Sequence, residues 1–280
     1  MQDVVFQYDG SFDGFLCCIF DSYLYKESPI AFFCDEECFS FYEVRSVITQ
    51  REHAQRVYRS LTKKSPQAAN LLRRAFLTCL VDKELYLYAF VRKLFSDGPA
   101  FIKCQSDPVY YPICKAVRHM NGELEKLRGF VRFSLYSGVL GAEIEPKNRV
   151  LPLLRNHFCN RYANEAFFIY DRTHKELLLY SNGCSRIVPV DNLHLSLPGE
   201  EELLYRNLWK CFHETIAIKE RYNPRCQNTF LPKRYRATMT EFLPSDYEAR
   251  QSSAILPAAS HAVEPVPFVL GGKPVPEIPE

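Results

Sequence analysis

The 280-residue chain is predicted to adopt an α+β fold, and three observations carry that expectation. Apolar residues recur at helical spacing through the middle third, the period drops to two after Gly129, and a helical pattern returns near Glu200. Composition fits a protein that buries a core, with 47% hydrophobic and 14% aromatic residues. In detail the expectation is an antiparallel sheet with a strand-strand-helix-strand-strand core beside a large helical block, followed by a disordered, Pro-rich C-terminal tail.

Taken in order, Val4-Val5-Phe6-Gln7-Tyr8 reads as a short strand and Asp9-Gly10-Ser11 as a turn whose Ser11, or Asp13, can cap a helix. Phe12, Phe15, Leu16, Ile19, Phe20 and Tyr23 place that helix over 12–25, with Pro29 ending it. Residues 30–34 and 39–44 read as extended. Ala54, Val57, Tyr58 and Leu61 predict a helix over 52–62, and Ser65-Pro66 starts another whose apolar stripe runs from Ala68 to Leu80. Two more helices, 84–95 and 108–128, complete a helical block over about 50–128.

Residues 130–135 and 139–144 are a hairpin candidate across Tyr136-Ser137-Gly138. A helix over 150–162 follows, then strands 166–170 and 176–180 joined by a turn at 172–175. Glu200, Glu201 and Glu202 open a long helix over 200–221, Lys219 and Arg221 close it in accord with the helix dipole, and Asn223-Pro224 stops it. The sheet-containing core spans about 129–222, residues 1–243 form a single domain, and the tail occupies 244–280.

Several classes are excluded. No apolar run approaches the length of a membrane-spanning helix, and the start carries no export signal, so the expected location is cytoplasmic with no membrane partner. The eleven cysteines are odd in number and scattered, and Cys17, Cys18, Cys79 and Cys211 sit in apolar runs as buried thiols do. Cys34-Asp35-Glu36-Glu37-Cys38 is the one metal-like pair and lacks its second half, so neither a metal nor a cofactor is expected. Phosphate-binding glycine loops, nucleophile elbows and zinc-protease helices are missing, as are helix-turn-helix and zinc-finger patterns.

Charge is asymmetric beneath a net +2: residues 1–50 carry −7, residues 51–240 carry +13 and residues 241–280 carry −4. A basic middle suits a polyanion, although solvated helix faces give the same count. Within it, arginines stand beside aromatics at Gly129-Phe130-Val131-Arg132-Phe133, across 150–161, at Ile169-Tyr170-Asp171-Arg172, at Glu220–Pro224 and at Leu231–Tyr235. A guanidinium grips phosphate as a fork while a ring offers a stacking face. Arg132, Arg155, Arg161, Arg172, Arg221, Lys233, Arg234 and Tyr235 are therefore the candidate nucleic-acid contacts.

Each has a plainer reading. Arg132 shares a strand face with Phe130 and could instead pair with Glu143 or Glu145. His157 and Arg161 lie one helical turn apart, with Arg155 on the opposite side; His157 is a proton shuttle, a phosphate donor, or a histidine bonded to a carbonyl. Asp171 caps a turn or, if it faces His157, forms an acid/base dyad with it. The densest basic stretch holds Lys219, Arg221, Arg225, Lys233, Arg234 and Arg236, with Tyr222, Phe230 and Tyr235 interleaved.

Together with Tyr8-Asp9-Gly10-Ser11-Phe12 and Gly14-Phe15-Leu16, these landmarks resemble, over residues 4–243, a bacterial domain-of-unknown-function family described as DNA-metabolism or DNA-repair proteins. Members of that family occur encoded beside a radical-SAM protein, or as a C-terminal extension of uracil-DNA-glycosylase-like proteins. This chain departs from the family at Arg236, where a tryptophan usually follows the Arg-Tyr pair. The resemblance implies DNA, single-stranded or damaged, and a radical-SAM protein as partners. The expected function is a nucleic-acid-binding accessory in DNA repair or DNA metabolism, with the partner supplying redox chemistry. Two alternatives stand beside it: a lesion-processing hydrolase or lyase using His157 and Asp171, and a protein–protein interaction module using the acidic N-terminus and the tail.

Overall fold

Val4, Val5 and Phe6 are fully or almost fully buried because strand β1 (Gln2–Gln7) is the middle of a three-stranded parallel sheet ordered β2-β1-β3. The computed structural model describes residues 2–34, 40–104, 106–193, 195 and 198–243. The expected proline-rich tail lies outside the described residues. Helix α1 (Phe12–Leu24) returns the chain to β2 (Glu27–Phe33), and Ser11 caps it, its Oγ accepting from the Gly14 amide at 2.9 Å. Pro29, expected after the helix as its stop, lies inside β2. That strand is an edge, and the register slips between Val4 and Val5 where Pro29 pairs, which accommodates a residue with no amide proton. Strand β3 (Val44–Ser46) pairs on the other side of β1 and starts where the expected 39–44 segment ends; residues 35–39 lie outside the described residues.

The helical block consists of α2 (Arg51–Lys64), α3 (Pro66–Phe76), α4 (Lys83–Asp97) and α5 (Tyr110–Phe130). Ser65 caps α3 through the Ala68 amide, with Pro66 in the first turn, as the sequence indicates. Since α3 stops at Phe76, Cys79 falls off the stripe and is exposed. Cys211 is exposed too, whereas Cys17 and Cys18 are buried as expected.

The expected strand over 130–135 is corrected. Helix α5 continues to Phe130, whose ring packs on Tyr235 at 5.5 Å, and Arg132 donates back to the Gly129 carbonyl at 3.0 Å. Those contacts satisfy and cover the last helical turn, so the strand β4 (Ser134–Tyr136) begins later. It pairs with β5 (Val139–Ile144) through Ser137 and Gly138, both at positive φ (48° and 86°), the geometry of a tight two-residue hairpin.

Helix α6 (Leu151–Arg161) then leads to β6 (Phe167–Asp171), β7 (Glu176–Ser181) and β8 (Cys184–Pro189). The sheet order is β4-β5-β6-β7-β8, antiparallel at every pair but one. β5 and β6 run parallel because α6 crosses over between them, so the sheet is mixed and not antiparallel as expected. β8, absent from the sequence reading, is turned by Asn182-Gly183 at φ 49° and 79°. On β5, Gly141 pairs with Phe168, whose ring occupies the space a Cβ would need. Leu151, Leu154 and Phe158 of α6 are buried, and Phe133, Phe158, Tyr162 and Phe167 form one aromatic cluster.

The last helices are α7 (Glu200–Thr215) and α8 (Pro224–Phe230), followed by 3-10 turns at Lys233–Thr238 and Thr240–Phe242. The single helix expected over 200–221 ends at Thr215. The Thr215 hydroxyl folds back onto the Cys211 carbonyl at 2.7 Å and the β-branched Ile216 and Ile218 follow, which weakens continuation.

Candidate nucleic-acid interface

Of the eight predicted contacts, Arg132, Arg234 and Tyr235 are built into the fold and Arg172 forms a surface ion pair. Arg132 is not on a strand and does not meet Glu143 or Glu145. Its guanidinium grips Glu241 with two bonds, Nη2 to Oε1 at 2.7 Å and Nε to Oε2 at 3.2 Å. Burial, the largest influence, would raise the Glu241 carboxyl, but the Arg132 bonds and charge, a backbone bond and the Trp209 bond together hold the group below the usual carboxylate range. Arg172 pairs with Glu145 at 3.0 Å on the surface. Arg234 meets Glu123 at 2.9 Å, and that fully buried carboxylate also accepts from the Lys147 amide (3.0 Å), the Asn148 amide (2.9 Å) and Asn148 Nδ2 (2.6 Å). Tyr235 is buried, with the Arg234 guanidinium 4.5 Å above its ring. A buried carboxylate already engages the guanidinium at Arg132 and Arg234, whereas Arg172 meets Glu145 through a single surface contact.

The other four differ. Arg155, Arg161, Arg221 and Lys233 are exposed and have no carboxylate partner among the described residues. Lys219 and Arg225 share that state, and Tyr222 and Phe230 between them are 77% and 72% exposed. The stretch 219–233 therefore presents cations and bare rings together. Arg236 belongs to the packed body instead, bonded to Asn228 Oδ1 at 2.9 Å and lying over the Phe242 ring at 5.0 Å.

His157 and Asp171 are not hydrogen-bonded to each other. His157 Nε2 is buried with no hydrogen-bond partner among the described residues, and burial, followed by the Arg128 and Arg161 charges, pushes the imidazole down from its ordinary value. A neutral ring is a weak phosphate ligand. The fully buried Asp171 accepts from the Thr173 and His174 amides with Oδ1 (3.0 and 3.1 Å), while Oδ2 meets His174 Nδ1 at 2.7 Å. The turn reading of Asp171 thus holds, and its imidazole partner is His174, which the sequence reading passed over although Asp-x-x-His in a strand turn is the pattern for it. Such an arrangement orients the ring, and with Nδ1 donating to Asp171 the other ring nitrogen is the proton acceptor. Arg149 and Glu176 form an ion pair next to it, Glu176 lying opposite Asp171 in the sheet register.

At the carboxyl end of β1, the Asp9 carboxylate accepts from the Ser11 amide (2.9 Å) and the Thr49 hydroxyl (2.8 Å). Burial opposes its ionisation, but these bonds prevail and hold the group below the usual range. A Cβ at Gly14 would collide with Asp9 Oδ1, so the motif Asp9-Gly10-Ser11 with Gly14 is explained by its turn. Two surface clefts of about 430 and 780 Å³ flank Tyr23 and Phe95, and none of the predicted contacts lines either.

These features define an α+β domain organised around a mixed five-stranded sheet, with a basic, partly aromatic segment outside its core. Residues 81–241 match the family model DUF4130, a domain of unknown function, and the chain belongs to that family. The matched stretch holds the whole five-stranded sheet, α7, α8 and every predicted contact, and the parallel sheet precedes it. No curated protein matches the chain.

Proposed function

We propose that the protein is a nucleic-acid-binding accessory in DNA repair or DNA metabolism, acting with a radical-SAM enzyme that supplies the redox chemistry. The observation that carries this reading is the segment 221–233, where Arg221, Arg225 and Lys233 stand exposed without carboxylate partners among the described residues and flank the bare rings of Tyr222 and Phe230. Arg155 and Arg161 on α6 are additional cations for the phosphate backbone. Arg132, Arg234 and Tyr235 drop out of the binding surface, since each is held by the fold, while Arg172 has only a surface pair with Glu145 and stays a candidate. The sequence resemblance supplies the DNA context and the partner. Titrating the purified chain against single-stranded and duplex oligonucleotides at low and moderate salt tests the reading; affinity should fall steeply with salt, and binding that is absent or indifferent to salt would contradict it.

The Asp171–His174 pair favours a second reading, a lesion-processing hydrolase or lyase in which His174 accepts a proton and Asp171 orients it. The combination of His157 with Asp171 expected from the sequence is superseded by that contact. A His174→Ala variant that still binds nucleic acid but loses turnover of a damaged oligonucleotide would support the enzyme; equal turnover would remove it.

A further inference from the structure

Helix α7 is attached with its polar side inward. Glu202 and Arg206 pair at 2.9 Å with side chains only 12% exposed, Arg206 donates to the Ser134 hydroxyl at 2.8 Å, and Glu202 accepts from the Leu135 amide at 3.0 Å. One and two turns on, Trp209 donates to Glu241 at 3.2 Å and the His213 ring sits 5.8 Å from Phe242. Positions 202, 206, 209 and 213 fall on one helical face, and that face meets the body. The neighbouring arc carries Leu204, Tyr205, Leu208, Phe212 and Ile216, each 53–60% exposed, with Trp209 at its margin, 39% exposed. No residue of α7 is buried. A surface helix normally does the reverse, turning its apolar stripe to the core.

We propose that this outward stripe is the contact through which two copies of the chain pair, α7 against α7, antiparallel across a twofold axis. Two features of the helix select a second copy. An acid and a base bracket the stripe: Glu201 lies on the apolar arc in the first turn, and Lys219 stands exposed four residues beyond the C-terminal Thr215. Antiparallel packing sets Glu201 against the partner's Lys219, and symmetry makes the same contact twice. The area also fits. Half-exposed side chains of this size hide about 100 Å² apiece, so the six supply about 600 Å² per copy, and Ile218 with the flanking residues brings the patch toward the about 800 Å² per partner of a standard interface. A nucleic-acid strand is a poor occupant, because Leu208 and Phe212 centre the face and Glu200 and Glu201 repel phosphate at its end.

Sedimentation of the full chain over a wide concentration range, without nucleic acid, tests the pairing independently of the proposed function. A reversible monomer–dimer equilibrium is expected. Trp209 is the single tryptophan of the chain, so its emission should shift to shorter wavelength in step with dimer formation. Leu208→Glu should give a monomer with unchanged far-ultraviolet circular dichroism. Glu201→Lys and Lys219→Glu should each weaken association about tenfold, and the double exchange should restore it. A chain that stays monomeric, one that forms polydisperse aggregates, a dimer that survives Leu208→Glu, or a double exchange without recovery would each overturn the proposal.

Discussion

Helices α5 and α7 carry similar apolar stripes and end up on opposite terms with the core. α5 buries Ile113, Val117, Met120, Leu124 and Leu127, and on its inner side it even buries the carboxylate of Glu123. α7 buries nothing and anchors through Glu202, Arg206 and Trp209. Amphipathic spacing records that a helix has an apolar side; it does not record what that side meets. The same contrast separates the arginines. Arg132 and Arg234, near the end of α5, hold buried carboxylates in place, while Arg221 and Arg225 beyond α7 hold none among the described residues.

The largest effect should come from the buried node of α5. Glu123→Ala removes the acceptor for Lys147, Asn148 and Arg234 together, and should cost about 3–5 kcal/mol in urea unfolding. A loss below about 1 kcal/mol would show that the node is not the anchor described here. Arg132→Met should cost less, about 1–3 kcal/mol, by removing the guanidinium from the Glu241 side chain, which is 4% exposed and would keep the Trp209 bond. Because Glu241 is depressed in the folded chain, its contribution is present above the ordinary carboxylate pKa and lost as pH falls through the lower folded value. Acid unfolding of Arg132→Met should therefore depend less on pH in that window, and an identical acid profile would count against the pairing.

His157 gives a smaller dependence of the same sign, in a window at higher pH. Its folded pKa is depressed, so below roughly pH 6.5 the unfolded chain gains a proton that the folded chain resists, and stability declines as pH falls. Urea midpoints on either side of that pH should converge in His157→Gln; if they differ as much as in the parent, another group is responsible. The smallest effect belongs to α7. Leu204→Ser, measured where the chain is monomeric, should change stability by no more than about 0.5 kcal/mol, since the side chain is 58% exposed.

Much of the fold is legible in the sequence because local chemistry decides it. Ser11 and Ser65-Pro66 cap helices as their residue types dictate, the helical block follows its apolar spacing, and Ser137-Gly138 makes the hairpin turn. Asn182-Gly183 is an equally local signal for the turn into β8. The parallel β5–β6 pair was hidden for a different reason: a strand-helix-strand order is compatible with either sheet, and only the crossover of α6 sets the direction. The extension of α5 to Phe130 depends on Tyr235, distant in sequence, and no local pattern contains it.

The candidate site was half legible. Arginine beside an aromatic describes Arg234 over Tyr235 and Arg221 beside Tyr222 equally well. What separates them is Glu123, more than a hundred positions away from Arg234 and brought to it by the fold. The partner of Arg132 is Glu241, equally remote. Asp171 with His174 was within reach, being only three residues apart, but a turn aspartate and a ring three positions later are a common coincidence until the Nδ1 contact is seen.

The measurement that bears most directly on the account is the salt dependence of single-stranded oligonucleotide binding by the parent chain and by the triple variant Arg221→Gln, Arg225→Gln, Lys233→Gln. The variant should bind much more weakly, and the slope of log affinity against log salt should shrink by about 2, three phosphate contacts at about 0.7 each. A triple variant that binds with the parent's affinity and slope would contradict it.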